Sequence, residues 1–301
     1  MKKLLPALLT AACAVGFASA AHAQSSGTLK KIKETGTITL AYRETSIPFS
    51  YLNDKQQPIG YAMELCGHVV DAIKAQLKLP NLKVNMQPVT SSNRIPLLQN
   101  GTVDLECGST TNSVERQKQV AFGPTYFRIN VTAAVKKSSG INTLAELNGK
   151  NISTTSGTTS VPLLKGYEKT KNVDVKEIYG KDHGESFLLL QDDRVVAFVM
   201  DDILLAGQIA NARDPSLYKI IPESLRSEPY APMLRKDDPE FKALVDKTLG
   251  ALYKSPEMEK IYNKWYLSPI PTATPGKTIN LNFPMTPGLK ADLANPNDKG
   301  V

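Results

Sequence analysis

Cysteine and histidine are scarce in this chain, with three of each among 301 residues. Metal centres recruit these residues in clusters with short, regular spacing. No such cluster is present, so neither a metal nor any other cofactor is expected. Long apolar runs are missing past the first two dozen residues, and nothing there approaches the roughly 20 residues of a membrane-spanning helix. The lysines and arginines are dispersed. No basic run is interleaved with aromatics, which argues against a nucleic-acid partner. Three missing motifs narrow the chemistry further. There is no G-x-S-x-G elbow to lift a serine nucleophile, so Ser109, His183 and Asp201 make a poor triad. Ser156-Gly157-Thr158-Thr159 lacks the Gly-Lys-Ser/Thr ending of a phosphate loop, and no G-x-G-x-x-G follows a strand. No catalytic residues are expected, and the chain is not expected to be an enzyme.

What is present begins with an export signal. Lys2 and Lys3 precede an apolar stretch over residues 4–20, and Ala21-His22-Ala23 has the small-x-small form of a cleavage site before Gln24. Residues 1–23 therefore read as a signal peptide. A membrane anchor fits less well, because the stretch is short and contains Pro6. A lipid on Cys13 would need better residues ahead of it than Thr10-Ala11-Ala12. The mature chain is expected in the periplasm, as a monomer. The formal net charge is +7, and removal of the signal lowers it by two. A mild basic excess favours small acidic ligands or anionic surfaces. After cleavage Cys66 and Cys107 remain. In an oxidising compartment they form one disulfide or stay as two buried thiols, and the sequence does not give their separation.

Periodicity gives the organisation. Residues 37–42 alternate as a strand, and residues 61–77 place Leu65, Val69, Ile73 and Leu77 on one helical face. A strand over 82–89, a helix over 95–100 and a strand over 102–105 follow. Asn112 with Glu115 has the spacing of a capping box. A second series begins after Gly149. Strands over 151–154, 173–179 and 195–200 are each followed by a polar turn and a helix. Such alternation predicts an α/β fold of two similar lobes with mostly parallel sheets flanked by helices. Residues 28–128 are assigned to lobe one and 129–229 to lobe two. Residues 230–301 return to lobe one as a strand over 230–234, closing helices and a surface tail.

Ligands of open α/β sheets sit beyond the carboxyl ends of the strands. In lobe one those positions hold Arg43, Ser91, Arg94, Ser109, Thr111 and Arg116; in lobe two they hold Thr158, Thr159, His183 and Asp201. Each has a plain alternative. Arg94 and Arg116 stand as solvated arginines at helix starts, Asp201 as a cap for the helix at 203–210, and His183, like His68, as a surface histidine. Together they hold three arginines, a histidine, several hydroxyls and one fixed acid, which suits a ligand with two carboxylates and one ammonium. An arginine fork matches a carboxylate. Arg116 would take the α-carboxylate, helped by free N–H groups near Thr159. Asp201 would take the ammonium. Arg43, Ser91, Arg94 and His183 would face the side-chain carboxylate.

Several stretches carry a family resemblance. They include Tyr42-Arg43-Glu44-Thr45-Ser46-Ile47-Pro48-Phe49, Arg94-Ile95-Pro96-Leu97-Leu98-Gln99-Asn100-Gly101, Glu106-Cys107-Gly108-Ser109-Thr110-Thr111-Asn112, Lys181-Asp182-His183-Gly184 and Leu234-Arg235-Lys236-Asp237-Asp238-Pro239. From about Leu29 to Lys299 the chain resembles the periplasmic amino-acid-binding proteins of ABC transporters, within them the glutamate/aspartate group. The resemblance implies the type II periplasmic fold with two hinge strands, a ligand trapped between the lobes, and delivery to an inner-membrane permease. It implies that Arg116 and Asp201 bind the α-carboxylate and ammonium, and that Arg43, Arg94 and His183 mark the acidic-ligand group. Some members pair the cysteine matching Cys107 with one in the returning strand. Pro229-Tyr230-Ala231-Pro232-Met233 offers none. The rival expectations are a dehydratase-like periplasmic enzyme on the same fold, and a binding protein for another polar amino acid.

Overall fold

The computed structural model describes residues 27–301, so the expected signal over 1–23 lies outside the described residues. Two sheets dominate. In the first, Thr37–Tyr42 lies between Lys83–Pro88 and Leu105–Glu106, all parallel; Met233–Arg235 runs antiparallel between Leu105–Glu106 and Val120–Phe122. In the second, Asn151–Thr155 lies between Lys176–Gly180 and Ala197–Asp201, again parallel. The long strand Phe127–Lys136 then runs antiparallel to Ala197–Asp201, with Tyr218–Ile220 beyond it. Both lobes thus place the first strand of their series in the middle and the next two on either side. That common order brings the carboxyl ends of both parallel sets to the gap between the lobes.

Two antiparallel strands connect the lobes. Phe127–Lys136 pairs with Arg226–Tyr230, from Phe127 opposite Tyr230 to Val131 opposite Arg226. Their lobe-one ends are set in an aromatic cluster. Phe127 stacks on Tyr266 at 4.9 Å, and Phe49 meets Phe127 and Tyr230 edge-on at 5.0 and 5.1 Å. Each well-placed pair adds about 0.5–1.5 kcal/mol beyond the area it buries. The cluster packs the lobe-one ends of both strands against the core.

The helix Tyr61–Leu77 follows its periodicity, with Leu65, Val69 and Ile73 buried against the first sheet's core. Two local expectations are corrected, and one plain alternative is set aside. The returning strand expected over 230–234 is two strands, Arg226–Tyr230 and Met233–Arg235. Pro232, which has no N–H to give a ladder, stands between them. The cap of the helix Val114–Gln117 is Ser113, whose Oγ accepts from the Arg116 N–H; Asn112 instead donates to the Asp298 carbonyl. His183 is no surface histidine but the buried first residue of the helix His183–Gln191, capped by Asp182.

Cys66 and Cys107 form a disulfide, with Cα atoms 6.2 Å apart. It ties the helix Tyr61–Leu77 to the residue that follows Leu105–Glu106. Among the described residues, no helix is long and apolar enough to cross a membrane.

Candidate functional site

Each of the three parallel strands of the first sheet delivers one polar turn to the gap. Arg43 follows Thr37–Tyr42, and its backbone N–H donates to Ser50 Oγ at 2.8 Å. Its side chain is 1% exposed. Nη2 donates to Ser91 Oγ at 3.0 Å and stands 3.5 Å from His183 Nε2, while Nη1 has no protein partner. Arg94 opens the helix Arg94–Gln99 and is equally buried. Its Nη1 donates to Thr110 Oγ1 at 2.7 Å and to the Ser109 carbonyl at 3.2 Å; Nε is without a partner. Ser109 Oγ donates to Ser46 Oγ at 3.1 Å. Arg116 reaches across the gap. Nη1 donates to the Thr111 carbonyl at 2.9 Å and Nη2 to the Gly157 carbonyl of the other lobe at 3.2 Å. Burial, then repulsion from neighbouring Arg94, lowers Arg43 to about 10 and Arg116 to about 9, so both stay cationic at neutral pH.

The second lobe supplies the opposing groups. Thr159 precedes the helix Ser160–Lys171, and its hydroxyl goes to Glu228 Oε2 at 2.6 Å rather than to the helix. Thr158 turns its hydroxyl back to the Thr155 carbonyl at 2.8 Å. His183 Nδ1 lies 3.0 Å from Thr155 Oγ1. Burial, with Arg43 and Arg94 nearby, holds its pKa well below the usual value, so the ring is neutral. An arginine only donates, which makes Nε2 the acceptor and puts the ring proton on Nδ1, toward Thr155. Asp201 stands at the start of the helix Asp202–Asn211 but makes no capping bond. Its Oδ2 accepts from the Tyr230 hydroxyl, and Oδ1 has no protein partner. Burial, then the negative field of Glu228, pushes its pKa up to about 8, against the pull of Tyr230 and Arg116.

Of the nine expected positions, Arg43, Ser91, Arg94, Ser109, Thr111, Arg116, His183 and Asp201 are buried and Thr159 is half-buried. Their hydrogen bonds form separate groups, of which Arg43 with His183, Thr111 with Thr159, and Arg116 with Gly157 cross between the lobes. The expected charge balance needs correction. Asp201 is not the lone acid, because Glu228 is fully buried near it and Glu106 fully buried near Arg43. Glu106 Oε2 accepts from Thr110 Oγ1 at 2.6 Å, completing a chain from Arg94. Glu228 accepts from Thr111, Thr159 and Arg226. Four arginines thus face three acids, and the cleft keeps a cationic excess. Glu228 and Tyr230 escaped the sequence analysis because their strand belongs to neither series. Their spacing of two, which puts both on one face of a strand, was the available signal.

Two lobes on a pair of hinge strands, with buried charge of both signs facing across the gap, define a two-lobed binding protein of the type II periplasmic class. The chain belongs to the bacterial extracellular solute-binding proteins, family 3, which it matches over residues 38–268. Over 302 residues it is 48% identical to the L-glutamate/L-aspartate-binding protein of Pseudomonas aeruginosa, covering 99% of each chain. It is 44% identical to the glutamate/aspartate import solute-binding protein of Escherichia coli over 303 residues, covering 100% of this chain and 99% of the other. Among solved structures, the cysteine-binding protein of Campylobacter jejuni superposes with a TM-score of 0.69 at 27% identity, over 79% of this chain and 92% of that one.

Proposed function

We propose that this protein captures L-glutamate or L-aspartate outside the cytoplasm and hands it to an ABC-transporter permease in the inner membrane. One observation carries the ligand assignment. Buried donors without protein partners, Arg43 Nη1 and Arg94 Nε, stand in the same site as two buried acceptors without one, Asp201 Oδ1 and Glu106 Oε1, of which Glu106 already has Arg43 near it. Buried polar groups demand partners, and an acidic amino acid offers carboxylates for the donors and an ammonium for the acceptor. Arg116 takes the α-carboxylate, helped by the backbone N–H groups at the helix start near Thr159, and Asp201 takes the ammonium, with the Thr111 and Thr159 hydroxyls beside it. Arg43 and Arg94, with Ser91, Ser109 and His183, take the side-chain carboxylate. The names of the Pseudomonas and Escherichia relatives support the same ligand class.

The lobes divide at 128/129 and 229/230, and ligand contacts to both favour the closed arrangement by population shift. Residues 1–23 direct export, and the mature protein is a monomer that releases its ligand chemically unchanged. The test is mass spectrometry of ligand carried by protein produced as residues 24–301, with calorimetry of the ligand-stripped protein. Glutamate or aspartate is expected in the released fraction. Recovery of only a neutral or basic amino acid, or conversion of added glutamate during incubation, contradicts this assignment.

A further inference from the structure

Glu228 lies on the hinge strand Arg226–Tyr230, outside both strand-turn-helix series, and is fully buried. Its Oε2 accepts from Thr111 Oγ1 at 2.7 Å and from Thr159 Oγ1 at 2.6 Å, one hydroxyl from each lobe. Its Oε1 accepts from Arg226 Nε at 2.9 Å and from Nη2 of the same guanidinium. A threonine hydroxyl owns one proton. Both protons are therefore spent on Glu228. The two hydroxyls stand 3.5 Å apart, and neither has a proton left for the other or for the gap. Toward a ligand they present lone pairs alone.

Tyr230, two residues along the same strand, completes the pattern. Its hydroxyl occupies Asp201 Oδ2 and leaves Oδ1 as the free acceptor. Thr111, Thr159 and Asp201 Oδ1 then make three acceptors, the number of protons on a primary ammonium. We infer that Glu228 is a positioning residue: it orients the Thr111 and Thr159 hydroxyls to accept, and thereby selects ligands that carry an α-ammonium over the same diacids without one. The inference rests on the proposed acidic-amino-acid ligand and adds the residue that reads its amino group.

The substitution Glu228→Gln tests it at constant shape. Arg226 only donates, so the new carboxamide turns its oxygen to Arg226 and its Nε2 to the two threonines. Nε2 donates, and the threonine protons must swing into the gap, where they oppose an ammonium. The measurement is calorimetric affinity for L-glutamate and for glutarate, its deaminated counterpart, on wild type and variant. In E228Q the glutamate affinity is expected to fall by ~30-fold or more, as a site loses buried hydrogen bonds matched to its ligand, and the glutarate affinity to stay within about threefold. Glu228→Asp keeps the charge but withdraws the oxygens by one methylene. An intermediate loss of the glutamate-to-glutarate ratio is expected, which also decides the matter if E228Q does not fold. Equal weakening of both ligands, or an unchanged ratio in either variant, overturns the inference while leaving the ligand assignment standing. A wild-type protein that binds neither glutamate nor aspartate overturns the assignment, and this inference with it.

Discussion

At the scale of single residues, the site is a set of charges whose partners are incomplete. Asp201 shows the consequence. Burial and Glu228 raise it to about 8, so with no cation beside Oδ1 it holds a proton at neutral pH. An ammonium beside Oδ1 favours the carboxylate and lowers that value. Binding at pH 7 is then expected to release most of one proton. Below pH 8 the affinity for glutamate should weaken as pH falls, by up to about tenfold per unit, until the pKa of the bound state is reached. Calorimetry in two buffers of different ionisation enthalpy reads the proton directly, and absence of proton release at pH 7 would contradict this account. Arg94 gives a second expectation. Truncating one partner of a buried charged pair costs about 2–5 kcal/mol, so Arg94→Ala should weaken glutamate by ~30-fold or more. Glutamine, which carries no side-chain charge, should lose much less. Equal losses for the two ligands would remove Arg94 from the side-chain carboxylate.

Elements decide where those residues stand, and here the sequence was unevenly legible. Period and alternation located Thr37–Tyr42 and Tyr61–Leu77 to the residue, because each buries one face against the same core. The strand ends followed, and with them Arg43, Arg94, Arg116, His183 and Asp201. Partners separated by long stretches of chain could not be read the same way. Thr111 and Glu228 are 117 positions apart, and Cys66 and Cys107 are 41 apart. No local pattern encodes either distance. The disulfide has a consequence at this scale. It anchors the segment that carries Ser109 and Thr111 to the helix Tyr61–Leu77, and closing a loop of that size removes about 4 kcal/mol of chain entropy from the unfolded state. Replacing both cysteines by alanine should lower unfolding stability by roughly 2–4 kcal/mol, read by denaturant titration. Reductant should lower the wild type similarly and leave the variant unchanged. An insensitive wild type would mean that the bond does not support the fold.

For the whole molecule, the proposed capture of a ligand between the lobes requires them to approach, so each close contact between them has weight. Gln208 Nε2 donates to the Thr45 carbonyl at 2.7 Å, and Gly184 N donates to Thr45 Oγ1 at 3.4 Å. Arg116 bonds the Gly157 carbonyl. Gly157 matters most, because the backbone of Ser92 presses against it. A Cβ there would lie 2.7 Å from Ser92 Cα and N, and the residue has φ +77°. Backbone on one lobe meeting backbone on the other cannot be relieved by a side-chain rotation. Gly157→Ala therefore acts chiefly on closure. The local strain of an alanine at positive φ costs about 1–2 kcal/mol of stability, but the clash exists only when the lobes meet. The expected signature is a small fall in thermal midpoint without ligand, at least a tenfold loss of glutamate affinity, and a ligand-induced compaction in small-angle scattering that is reduced or gone. Full compaction with unchanged affinity would show that the lobes need not approach as closely as Ser92 and Gly157 do. The same logic extends to Gly207, where a Cβ would meet the Ile47 carbonyl at 2.5 Å. Two glycines at two interlobe contacts mark how tightly the hinge must shut before Glu228 can hold a threonine from each side.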